Sequence, residues 1–162
     1  LDDHNGNVVS LEKFIGQWSF VFFGYTNCPD VCPATLSQLV MVNKKLKQKP
    51  SVSKMAQFFF VSVDPSRDSK QHLKRYVQYF DTDFIGLTGN LETIKKFENQ
   101  FGAFHLYGEK TSDDFYNVAH TASVFLVNPH GVIVTKFSPP MDVTSVVEQF
   151  SVLVEQFAKA YT

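Results

Sequence analysis

Cysteine is the scarcest chemically useful residue in this chain: two among 162 residues, Cys28 and Cys32. Two sulfurs cannot build a disulfide scaffold or an all-cysteine metal cluster, though they can form one bridge or part of a metal site. Charge of one sign is not in excess either. Fifteen Lys and Arg against sixteen Asp and Glu leave a formal net charge of −1. No basic stripe is present, which excludes the electrostatic footprint that nucleic acid demands. Long hydrophobic runs are missing as well. The longest, Trp18 to Gly24, falls far short of the roughly 18 residues a membrane span needs. No signal peptide, internal repeat, linker or low-complexity tract stands out. The chain opens on Leu1 rather than Met, so the expectation is an upstream segment that has been cut away.

What the chain has in abundance is Phe, 17 residues, and rings that bury large areas predict a Phe-rich core. The length fits one domain over residues 1–162, able to bury roughly 70% of its unfolded surface without a staple. Residues 4–10 carry a turn signal and then a short β-like piece, an N-terminal extension before the first firm strand, Trp18 to Tyr25. A helix is predicted from Pro33 to about Gln48, with Leu36, Leu39, Val40, Val42 and Leu46 approximating one face. The apolar run 57–63 reads as a buried strand stopped by Asp64-Pro65. Asp68 or Ser69 then caps a helix to about Phe80. Phe84 to Leu87 is a short strand, and Asn90 or Thr93 opens a helix to about Phe101. Phe104–Tyr107 and Phe115–Val118 flank the polar segment Gly108–Asp114 as a hairpin. Ala122–Val127 and Val132–Phe137 form a second hairpin about Asn128-Pro129-His130-Gly131. A last helix runs from about Asp142 to Ala158. Order βαβαβα, hairpin, helix defines an α/β fold, a thioredoxin-like three-layer sandwich with a central mixed sheet.

The cysteines lie in Gly24-Tyr-Thr-Asn-Cys-Pro-Asp-Val-Cys-Pro-Ala-Thr-Leu36, between strand and helix, at the edge where such sheets place their sites. Pro33 suits the first helical position, which would make Cys32 the cap, with its thiol ionised more easily by the helix dipole. Sulfurs four apart can close a disulfide or act as two soft ligands for Cu(I), Zn²⁺ or iron–sulfur chemistry, a third ligand deciding among these. The alternatives are a plain stabilising bridge and two inert buried thiols. Of five histidines, His4 sits in a polar turn and His72 on a helix toward solvent. His105 is either exposed or satisfied in the core, and His130 sits in a surface turn. His120 stands directly before a strand whose entering loop abuts the cysteine loop in a thioredoxin-like sheet, so it is the candidate partner for the sulfurs.

Four segments carry a resemblance to a known family: Phe22 to Leu36; Phe-Val-Ser-Val-Asp-Pro-Ser-Arg-Asp-Ser, 60–69; Phe-Ile-Gly-Leu-Thr-Gly, 84–89; and His-Thr-Ala-Ser-Val-Phe-Leu-Val-Asn-Pro-His-Gly, 120–131. With the opening segment they spread over nearly the whole chain. Their sequence resembles the Sco/SenC copper-binding proteins of cytochrome c oxidase assembly. The resemblance implies a thioredoxin-like fold binding one copper ion, Cu(I) or Cu(II), through Cys28, Cys32 and His120. It implies a protein tethered by an upstream anchor at the periplasmic face of the bacterial inner membrane or in the mitochondrial intermembrane space. Where the family usually has Asp directly before the ligand His, this chain has Ala119, and a group able to orient the imidazole is absent there. A strand-entering proline typical of thioredoxin-type reductases is replaced by Ala122. Asp64 and Arg67 read either as support for the cysteine loop or as an ordinary ion pair at a strand end.

The leading reading is a metallochaperone that helps metalate the oxidase's binuclear copper site. Its partners would be the copper-bearing oxidase subunit or another copper protein, with a copper donor or a thiol reductase upstream. The alternative is a thiol–disulfide oxidoreductase that keeps a partner's copper-ligand cysteines reduced, with Cys28 and Cys32 as the catalytic redox pair. A peroxidase-like or redox-sensing relative is a third.

Overall fold

A strand buried on both faces needs a nearly continuous apolar run, and two such runs make the middle of this sheet. The structure is a computed structural model that describes residues 1–111 and 115–162. In chain order it has β1 (Asp2–Asp3), a 3-10 turn (Leu11–Lys13), β2 (Trp18–Gly24), α1 (Val31–Lys47), α2 (Pro50–Ser53), β3 (Ala56–Ser62) and α3 (Lys70–Phe80). Then come β4 (Phe84–Thr88), α4 (Leu91–Phe101), β5 (His105–Tyr107), β6 (Val118–His120), β7 (Val124–Val127), β8 (Ile133–Phe137) and α5 (Val143–Ala160). Six strands form one mixed sheet in the order β1-β4-β3-β2-β7-β8. In it β2, β3 and β4 run parallel, while β7, β8 and β1 are antiparallel to their neighbours. β5 and β6 form a separate antiparallel ladder in which His105 lies opposite His120.

Alternation along β2 sorts the Phe-rich core into two layers. Trp18 and Phe20 meet Phe150 of α5, and Phe22 meets Phe60, which in turn meets Tyr76 of α3. Phe23 points to the opposite face, against Phe97 and Phe101 of α4. Phe20, Phe22, Phe23 and Phe60 are all essentially inaccessible to water, each ring contributing about 1.5–3 kcal/mol relative to exposure. Every β2 side chain is buried, so the strand that leads to the cysteines is fixed on both sides.

Most predicted elements stand within a residue or two of their observed bounds; the differences that matter are at α1, α2, β6 and β7. Helix α1 begins at Val31 with Asp30 as its cap residue, so Pro33 is the third helical residue and Cys32 lies inside the first turn. Proline is tolerated there because the whole first turn has N–H groups without helical partners. Helix α2, opened by Pro50, has too few residues to show an apolar period and was not expected. β7 starts at Val124 rather than Ala122. The second strand of the first hairpin lies at Val118–His120 rather than 115–118, which carries His120 into the ladder. Of the polar segment predicted at Gly108–Asp114, residues 112–114 lie outside the described residues. The N-terminal extension is borne out: β1 pairs with β4 and forms one edge of the sheet, and Asp2 bridges Val8.

Candidate metal centre

The cysteine half of the site grows directly from the core. β2 ends at Gly24, where a Cβ would stand 2.7 Å from Cys32 Sγ and 2.7 Å from the Phe60 ring. Only glycine lets the chain pass this close to the sulfur. Beyond it the loop is pinned by Asp68. Thr26 donates to that carboxylate from its backbone N–H (3.1 Å) and its hydroxyl (2.5 Å), and Ser62 Oγ–H donates to it at 2.7 Å. Because the Thr26 hydroxyl proton is committed to Asp68, the 2.9 Å contact with His72 Nε2 makes His72 the donor. Cys28 and Cys32 are both free thiols, the first at the edge of burial and the second fully enclosed.

The histidine half comes from the separate ladder. At His120 Nδ1 the neighbour is the Thr121 carbonyl, 3.0 Å away. A carbonyl can only accept, so Nδ1 carries the ring proton and Nε2 presents its lone pair, the tautomer a metal ligand needs. Nε2 lies 3.4 Å from Cys32 Sγ, and the Tyr25 and Phe22 rings meet the imidazole in T-shaped contacts. Among the described residues, Cys28, Cys32 and His120 form the one group of three or more such side chains that could hold a metal ion, their donor atoms all within 4.8 Å of one another. An ion roughly 2.3 Å from sulfur and 2.0 Å from nitrogen would space three donors about 4 Å apart in a plane. The cluster is therefore near coordinating geometry, and its soft donors suit a soft ion.

The two sulfurs are electrically unequal. A hydrogen bond from the Cys32 thiol, aided by backbone N–H groups and opposed by burial, pulls Cys28 down to about 3. Its anion in turn, together with full enclosure, pushes the Cys32 thiol well above the ordinary range. The expected ionised cap at Cys32 is thus corrected. Cys28 is the thiolate, and Cys32 holds the proton because it is the deeper of the two.

Three other expectations change. His4 is buried, and its Nδ1 accepts the Gly86 N–H at 3.0 Å, because β1 lays the terminus along β4. His72 is half-buried over Thr26 rather than turned to solvent. Asp64 and Arg67 do form a pair, but it is Asp68 that grips the cysteine loop. Asp64 instead accepts from Tyr116 Oη at 2.7 Å, on the histidine side. His105 takes the core alternative, enclosed against Glu98 with Nδ1 2.7 and 2.9 Å from its carboxylate oxygens. His130 is exposed in its turn as predicted.

A mixed sheet covered on both faces, with a Cys-x-x-x-Cys loop at its edge met by a late histidine, describes a thioredoxin-like protein carrying a candidate metal centre. The chain belongs to the SCO1/SenC family, whose family model matches residues 1–155. It is 35% identical over 146 residues to the mouse "Protein SCO2 homolog, mitochondrial", covering 90% of this chain and 57% of that one. It is 37% identical over 132 residues to a "Putative copper-binding protein" of Stutzerimonas stutzeri, covering 81% and 63%. The chain thus spans less than two thirds of the length of both. The crystal structure of Arabidopsis thaliana ScoI with copper bound superposes with a TM-score of 0.88 at 31% identity, covering 96% of this chain and 95% of that one.

Proposed function

We propose that this chain binds one copper ion through Cys28, Cys32 and His120, and that it serves as a metallochaperone assisting metalation of the binuclear copper site of cytochrome c oxidase. One observation carries the reading: three soft or borderline donors from segments 88 residues apart in sequence converge within 4.8 Å. The copper named for the Arabidopsis structure and for the Stutzerimonas protein supports that choice of ion. A three-donor site at a sheet edge can pass its cargo by ligand exchange, each incoming partner thiolate replacing one donor, with no change in the ion's charge. A closed four-ligand structural site has no such opening. The compartment that fits is the periplasmic face of a bacterial inner membrane or the mitochondrial intermembrane space, the latter supported by the mitochondrial naming of the mouse relative. Among the described residues no helix is long and apolar enough to cross a membrane. Titrating the reduced protein with Cu(I) in the presence of a chromophoric chelator tests the proposal. One tight equivalent is expected, lost in Cys28→Ser and weakened in His120→Ala. No tight equivalent, or one indifferent to His120, would defeat it.

The unequal sulfurs favour a second reading, thiol–disulfide exchange. The more accessible Cys28 thiolate would attack a partner disulfide and form a mixed disulfide. Cys32, giving up its proton to the leaving partner thiolate, would then close Cys28–Cys32 and release the partner's dithiol. A partner thiol reductase would have to restore the pair. This activity needs no His120, so the same His120→Ala variant separates the two readings.

A further inference from the structure

The ladder that carries His120 is not part of the main sheet, and a small set of contacts fastens it to the body of the protein. Tyr116 Oη–H donates to Asp64 Oδ1 at 2.7 Å, and Asp64, wholly buried, is held in place on its other oxygen by Arg67 Nε. The Arg67 guanidinium carbon lies over the same tyrosine, 3.6 Å from the centroid of the Tyr116 ring and 5.5 Å from that of Tyr25. Tyr25 Oη accepts the Val118 N–H at 3.2 Å, and its ring packs against His120. Tyr107 Oη–H donates to the Val63 carbonyl at 2.5 Å. Asp64 and Asp68 sit four residues apart, on the turn that follows β3. One holds the histidine side through Tyr116, the other the cysteine side through Thr26. A single turn therefore registers both halves of the centre against each other.

We propose that Asp64, Arg67 and Tyr116, with Tyr107 beside them, are positioning residues of the metal centre. They set how firmly His120 is presented to the sulfur pair, and so how readily the third ligand is given up to an incoming thiolate. The inference rests on the copper reading above. None of these side chains is a ligand. Their effect passes through the three residues between Tyr116 and His120, two of which are held in the ladder with His120. Loosening the Tyr116 grip leaves the sulfur pair where the core puts it and frees only the imidazole.

The test is the release of Cu(I) to excess bicinchoninate, followed by absorbance, for Tyr116→Phe in the His120 protein and in a His120→Ala background. Tyr116→Phe keeps the ring against Arg67 and deletes one hydrogen bond, so release is expected to speed up roughly two- to tenfold. With His120 replaced, the same substitution is expected to change nothing. Equal acceleration in both backgrounds, or none in either, overturns the proposal. If thermal melting shows Tyr116→Phe unfolded, Tyr107→Phe takes its place in the same cycle, with the same outcomes. A parent protein that binds no Cu(I), or whose retention His120→Ala leaves unchanged, would fail the copper reading itself. A parent that passes both checks while Tyr116→Phe and Tyr107→Phe release copper at its rate would fail only the positioning role.

Discussion

The cysteine loop and the histidine arm reach the same point by different physical means. The loop leaves a strand whose every side chain is buried, passes Gly24 at van der Waals limit from Cys32, and enters a long helix. Apolar packing sets its sulfurs. The arm is a two-stranded ladder outside the main sheet, with Phe104, Leu106 and Phe115 exposed on it. Polar ties hold it: Glu98 on His105, Tyr107 on Val63, Tyr116 on Asp64, and the Tyr25 hydroxyl on Val118. Removing a ring from a packed core costs several kcal/mol, whereas a single hydrogen bond contributes about 1 kcal/mol net. A site that must hold an ion and also surrender it gains from this asymmetry, with two donors fixed by the core and a third adjustable through small terms.

The comparison breaks first on the ligands. Cys32→Ser should abolish tight Cu(I) retention in the chelator titration, a larger loss than the roughly 10- to 100-fold that outer partners of a metal ligand typically cost. Should His120→Ala prove as severe as Cys32→Ser, the arm would be no weaker a holder than the loop. Next comes Gly24→Ala, whose methyl would crowd Cys32 Sγ and the Phe60 ring. A loss of about 1–3 kcal/mol in urea unfolding is expected from overpacking, together with weakened copper binding, because the crowded atom is the ligand itself. On the arm, Glu98→Gln replaces the carboxylate of a pair whose side chains are 3% and 2% exposed. A loss of about 1–3 kcal/mol should come with intact Cys28 reactivity. An altered rate of Cys28 alkylation in that variant would show that the halves are not mechanically separate.

The same asymmetry governs what could be read from sequence. The cysteine half was legible because its signals are local: an apolar run, a glycine, two cysteines four apart and an amphipathic helix, all within 31 residues from Trp18 to Gln48. β2, α1 and the β7–β8 hairpin followed from period and turn chemistry. His120 could be singled out only through topology and family likeness, since nothing in its neighbours marks a ligand. The ties of the arm left no such trace. Tyr116 and Asp64 are 52 residues apart, as Thr26 and Asp68 are 42, and no spacing rule joins them. Asp68 next to Arg67 in the Val-Asp-Pro-Ser-Arg-Asp block was the available signal for a polar anchor, but the sequence does not say which acid holds which loop. The ionised sulfur differs from the expectation for a related reason: a helix start shifted by two residues moves Cys32 from cap to interior, and depth then outweighs the dipole.

The prediction that sharpens the loop's side is a pH dependence. Cys28 titrates at about 3 and Cys32 above the ordinary thiol range, so over the whole interval between them the folded pair holds one proton. Unfolded, both are ordinary thiols near 8.5 and hold two protons below that value. Between about pH 3 and 8.5 the unfolded state binds more protons, and this pair's contribution to stability rises with pH. It is lost as pH falls toward the Cys28 value. Above 8.5 the unfolded pair holds none while Cys32 keeps its proton, so the contribution falls again. Iodoacetamide trapping of the reduced, metal-free protein reads the same asymmetry directly. Cys28 alkylation should stay nearly constant from pH 8 to 5, whereas an ordinary thiol slows by about tenfold per unit over that range. Its rate should also exceed that of Cys32 throughout. An alkylation profile that falls with a midpoint near 8.5 would mean that the loop presents two ordinary thiols, and that packing alone, without the shared proton, shapes the cysteine half.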